Sequence, residues 1–133
     1  MNLIKLTGEG RSVSKIFLGV IFLLFGLNGF LQFMQMPPPA QEAGLFLSGL
    51  ARAAYFFPLL KGVEVLAGTL LVLNRRVNLA LVMLVPIVLN IVLFHYYLDA
   101  SGLLFSLEVA AMLCVACWEN RRSLRVLWAD VVN

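Results

Sequence analysis

Long apolar runs separated by short polar breaks dominate this chain. Four runs, residues 16–36, 55–73, 77–98 and 103–118, meet or approach the roughly 20 residues that carry a helix across a bilayer core. The fourth is the shortest, so it either continues past Trp118 or sits where the bilayer thins. The pattern predicts an all-α fold: a single domain formed by a four-helix transmembrane bundle.

The breaks define the connections. Gly8, Gly10 and Ser12 mark residues 1–14 as a polar arm, and Thr7 or Ser12 can cap the first span, which starts near Ser14. Three consecutive prolines at 37–39 stop that span and force an extended segment. Residues 41–54 read as a short helix that lies in the headgroup layer or folds over the bundle. Span two opens on Tyr55, Phe56, Phe57 and Pro58, an aromatic anchor with a first-turn proline. It closes at Asn74, Arg75 and Arg76, a tight turn. Tyr96 and Tyr97 fit an interface belt at the end of span three, and Asp99 or Ser101 can cap span four. Beyond Trp118, Leu124, Val126, Leu127, Trp128 and Val131 alternate with arginines as an amphipathic cytoplasmic helix.

Composition agrees with a membrane protein. The chain is 62% hydrophobic and 13% charged, with mean hydropathy +0.95, against about 25% charged in soluble domains. The net charge of +3 does not indicate nucleic acid, because the basic residues sit at the ends of the runs. With the N-terminus inside, Lys5, Arg11, Lys15, Arg75, Arg76, Arg121, Arg122 and Arg125 are cytoplasmic. Only Arg52 and Lys61 are outside. That bias places both termini in the cytoplasm. The first apolar run is longer than the h-region of a cleavable signal and has no clean cleavage site after it.

Few polar residues interrupt the spans, and intramembrane ionisable groups are site candidates by default. At about 1.5 Å per residue, Asn28 and Asn90 lie about 12 Å from the outer surface. By the same rise Glu64 lies about 9 Å in, Glu108 about 7–8 Å and His95 about 4–5 Å. All fall in the outer half of the bilayer. At about 100° per residue, Lys61 and Glu64 share a face of span two, so Lys61 can pair with Glu64. Asn90 falls with Pro86 and Tyr97, a face assigned to the bundle, and His95 lies about 140° away, interior or in the headgroups. Each residue also has a structural reading: Glu64 bonding Asn28, Asn90 or Lys61, and the asparagines as interhelical hydrogen-bonding links. One histidine and two carboxylates without a His-x-x-His spacing do not make a metal site. Cys114 and Cys117 form a C-x-x-C at the cytoplasmic end of span four, where thiols stay reduced. They lie about 120° and 180° from Glu108 and read as small packing residues.

Several stretches together resemble the DoxX-like family of bacterial integral membrane proteins. They are residues 26–30 with the Met36–Pro37–Pro38 turn, residues 55–59, residues 64–68, and residues 84–86 through Asn90 to His95. The resemblance covers about residues 16–117. It implies a four-helix protein of the bacterial inner membrane whose polar marks fall on Asn28, Glu64, Asn90 and His95. It also implies a link to quinone-coupled redox complexes. No flavin, nucleotide, heme or iron–sulfur motif is present, so an electron-carrying group would belong to a partner subunit.

Three functions follow. The first is a subunit of a quinone-linked redox complex, with Glu64 exchanging protons and Asn28, Asn90, His95 and Glu108 lining a quinone or small-molecule pocket. The second is a non-catalytic scaffold or small-molecule binder. The third, a transporter, requires an oligomer, because four spans without an inverted repeat make a small bundle. Lipid, redox partner subunits and a second copy are the expected partners; nucleic acid is not.

Overall fold

The structure, a computed structural model, describes residues 11–132. The arm 1–10, with Lys5 and the candidate cap Thr7, lies outside the described residues. Six helices follow in order: α1 Val13–Leu31, α2 Gln41–Ala51, α3 Phe56–Val72, α4 Val77–Tyr97, α5 Leu103–Glu119 and α6 Arg121–Val132. A 3-10 turn, Ala100–Gly102, joins α4 to α5. No strand occurs among the described residues. Three helices are long and apolar enough to cross a membrane, and the bent pair α2–α3 makes a fourth if taken as one span.

Side chains cap the start of α1 and of the 3-10 turn, whereas α2, α3, α4 and α5 start without a side-chain cap. Ser12 caps α1, its Oγ accepting from the Lys15 amide at 3.4 Å. α1 ends five residues before the expected limit of Met36. Gln32 turns left-handed at φ 51°, and its amide closes onto the Asn28 carbonyl at 2.9 Å. A bend at Met34 follows before the proline run. Between α3 and α4, Asn74 and Arg76 both adopt left-handed backbone, at φ 52° and 47°. Asparagine tolerates that geometry, whereas at Arg76 it costs about 1–2 kcal/mol. Asp99 caps the turn before α5, accepting from the Ser101 amide at 3.2 Å and the Ser101 hydroxyl at 2.6 Å.

α1, α3, α4 and α5 pack in a ring, each against two of the others, with α1 on α3 the most extensive contact. The core is built from Leu18, Phe22, Leu71, Leu81, Leu84 and Leu113 with small alanines between them. Apolar helices gain little by hiding from lipid, so close backbone approach decides which pairs associate. Gly68 shows this. A Cβ there would come within 2.5 Å of the Leu23 amide nitrogen and 2.8 Å of the Gly19 carbonyl oxygen. Much of the outer surface is leucine, valine, phenylalanine and isoleucine, as a lipid-facing surface requires.

The molecule has two distinct ends. The basic end holds the start of α1, the Asn74–Arg76 turn and the α5–α6 junction; the proline end holds residues 37–39, Pro58 and the Asp99 turn. α2 meets α3 at a bend of 96° and crosses the proline end. Its Phe46 ring lies 6.0 Å from Phe94 of α4, and the Ala40 amide donates to Asp99 Oδ2 at 3.4 Å. The expected short helix therefore forms, ending at Ala51, and packs over the bundle end.

Candidate functional site

Glu64 is the one candidate that the fold buries deeply, at 3% exposure. Of the three partners open to it, Asn28, Asn90 and Lys61, the lysine is the one found: Lys61 Nζ lies 2.9 Å from Glu64 Oε2, one turn apart on α3. Both face α1 where it carries glycines. A Cβ on Gly26 would stand 3.1 Å from the Glu64 Cβ, and one on Gly29 would collide with the Lys61 side chain. Small residues on α1 thus clear the volume that the two charged side chains occupy. A quarter of the Lys61 side chain stays accessible, against 4% for Glu64. A buried carboxylate beside one partly accessible ammonium is a group suited to exchanging a proton with a bound acceptor or donor.

The remaining candidates do not join it. Asn28 is half-buried and spends its amide on its own chain: Oδ1 accepts from the Met34 amide at 2.7 Å, and Nδ2 donates to the Met34 carbonyl at 3.3 Å. The expected interhelical role is therefore replaced by closure of the turn after α1. The cause is the early end of that helix, which frees backbone groups at Met34 that need partners.

Asn90 is exposed on α4 rather than turned into the bundle, and Pro86 and Tyr97 are exposed with it. The inward face of α4 is Ala80, Leu81, Leu84 and Val88. Asn90 sits about 160° round the helix from Val88, whereas His95 falls close to the Val88 face. His95 is half-buried, its Nδ1 lies 2.9 Å from the Asp99 carbonyl oxygen, and its ring covers Gly102. A carbonyl only accepts, so Nδ1 carries the proton. His95 fastens the end of α4 to the start of α5. Glu108 is also exposed, because Ser106, Val109, Leu113 and Ala116 form the inward face of α5. The five candidates therefore do not converge on one cavity within the chain.

Cys117 packs against the core as expected, while Cys114 is exposed, and both are free thiols. Among the described residues no three histidine, cysteine or acidic side chains converge as metal ligands.

The sequence reading missed a second polar group at the basic end. Glu119 Oε2 accepts from Ser12 Oγ at 2.6 Å and from Ser14 Oγ at 2.8 Å. Lys15, 1% exposed, interacts electrostatically with that carboxylate. Asn120 beside it is 3% exposed, and its Nδ2 has no hydrogen-bond partner. This latch ties the start of α1 to the end of α5. The Ser-x-Ser-Lys pattern signals a helix cap, but no local pattern pairs it with an acid more than a hundred residues away.

Comparison with protein-family models, curated proteins and solved structures found no match to this chain.

A quinone headgroup needs hydrogen-bond donors at its carbonyl oxygens and a source of protons. Asn28 and His95 are engaged by backbone, and Asn90 and Glu108 face outward. Of the candidate residues and their partners, Lys61 is placed as a donor and Glu64 as a proton carrier.

Proposed function

We propose that this chain is a four-span membrane protein, with both termini cytoplasmic, that works as a subunit of a larger quinone-linked redox assembly. The observation that carries the subunit reading is the outward placement of Asn90 and Glu108 on helices apolar enough to cross a membrane. Polar and ionisable groups facing hydrocarbon are costly, and a neighbouring protein surface that hydrogen-bonds them removes the cost. The quinone-linked part rests on the DoxX-like motifs, and the pair Lys61–Glu64 is the group suited to it. Quinone reduction takes up two protons with two electrons; Glu64 would carry protons, Lys61 would orient a headgroup oxygen, and the electrons would come from the partner.

The test is assembly. Asn90→Leu combined with Glu108→Leu should release the chain from its complex in mild detergent and lower quinone-dependent turnover in membranes. Its helix content should stay at the wild-type level. An unchanged complex mass contradicts the subunit reading. A second reading, a non-catalytic scaffold, is favoured by the engagement of Asn28 and His95 in turn closure. It predicts loss of assembly on the same double substitution, with no quinone-dependent turnover in the wild type.

A further inference from the structure

Among the described residues, most of the apolar side of helix α6 has no partner. Leu124 packs against the core, which fixes the start of the helix to the basic end of the bundle. Leu127, Trp128 and Val131 then continue outward, with Trp128 72% exposed. These four side chains fall within an arc of about 100°. Arg121, Arg125 and Arg122 follow on the adjoining flank, and Asp130 is the one acidic residue of the helix.

The boundary with α5 carries the same signature. Trp118 is exposed at the end of α5, and Arg121 stacks over its ring at 4.6 Å while donating to the Trp118 carbonyl at 2.8 Å. Val115 and Trp118, on the α5 side of the junction, are exposed as well. Arg75 and Arg76, also exposed, add positive charge at the same end. The Ser12–Ser14–Glu119 latch holds the α5–α6 junction in place.

We infer that α6 is an anionic-lipid docking helix, seated on a bilayer surface through Leu127, Trp128 and Val131 and held by its arginines on lipid phosphates. Two properties select an anionic lipid surface over a protein partner. The apolar face ends in an exposed tryptophan, and the flanking charge is three arginines against one aspartate. Tryptophan with arginine is the combination that sits at headgroup depth, the ring in the acyl boundary and the guanidinium among phosphates. Each arginine near an anionic surface favours the docked state by roughly fivefold.

The experiment uses the full chain with Trp118→Phe, so that Trp128 is the one indole. It is reconstituted in phosphatidylcholine vesicles with and without phosphatidylglycerol at roughly one lipid in three. Brominated acyl chains in the same vesicles report how deeply Trp128 is buried. Quenching of Trp128 should be strong with phosphatidylglycerol, weak without it, and reversed by molar salt. Arg122→Gln with Arg125→Gln should lower the docked-to-free ratio on the order of 25-fold in the anionic vesicles. A chain carrying Trp128→Phe instead reports Trp118 in the same vesicles, and its constant quenching shows that the bundle is inserted. Equal quenching of Trp128 in both vesicle types, or none in either while Trp118 is quenched, overturns the inference. The first result would mean apolar docking alone; the second would mean that α6 faces another protein or water.

Discussion

Glu64 and Lys61 are paired where the packing is tightest, and the chemistry of that pair decides how each tolerates replacement. Removing one member leaves a charge without its counter-ion; removing both leaves an apolar contact against Gly26 and Gly29. Lys61→Met should therefore destabilise the protein by about 1–3 kcal/mol, discounted because Lys61 keeps some solvent access. Lys61→Met with Glu64→Leu should recover most of that loss. Thermal unfolding in detergent across the double-mutant cycle measures it. Equal loss in the single and double variants would show that the pair is not coupled. The pairing of these two residues was legible from their spacing. The role of Asn28 was not, because it depends on where α1 stops, and that is set by backbone geometry at Gln32 rather than by the apolar run. Asn90 was misplaced for a different reason: α4 is apolar all round, so its sequence does not declare which face turns inward.

At the scale of elements, the connections are held by particular side chains, and one of them titrates. Hydrogen bonds from the Ser101 hydroxyl hold the Asp99 carboxyl below its ordinary range, and the Ser101 and Ala40 amides add to the effect. The folded value is depressed, so this cap is fully present above the ordinary carboxylate range and is lost as pH falls through the lower folded value. Acidification should therefore loosen the α4–α5 turn before it disturbs the spans. The protection factors of the Ser101 and Ala40 amides, corrected for intrinsic exchange, should fall at low pH, and Asp99→Asn should reduce that pH dependence. Amide protection that does not change over the same range would contradict the cap. Asp99 was visible in the sequence as a cap; its reach to Ala40, 59 residues away, was not. The latch between Ser12, Ser14 and Glu119 escaped for the same reason, since caps are local signals and their distant acceptors are not.

For the whole molecule, hydropathy located the helices well and the faces poorly. The limits of α3, α4 and α5 lie within one or two residues of the apolar runs, because lipid-compatible helices read as long uninterrupted runs. The gathering of five polar residues into one site does not occur within the chain, because depth along a helix is linear in sequence whereas rotation depends on packing. What results is a bundle with the buried Lys61–Glu64 pair, Asn90 and Glu108 turned outward and a basic end suited to a membrane surface. In the proposed function, Lys61–Glu64 is the working group of a membrane subunit. The most direct test is mass spectrometry of small molecules that co-purify with the wild type and with Glu64→Gln, at matched thermal stability. A quinone retained by the wild type and lost from the variant is the predicted result. The same lipid background in both, with no quinone in either, would contradict the account.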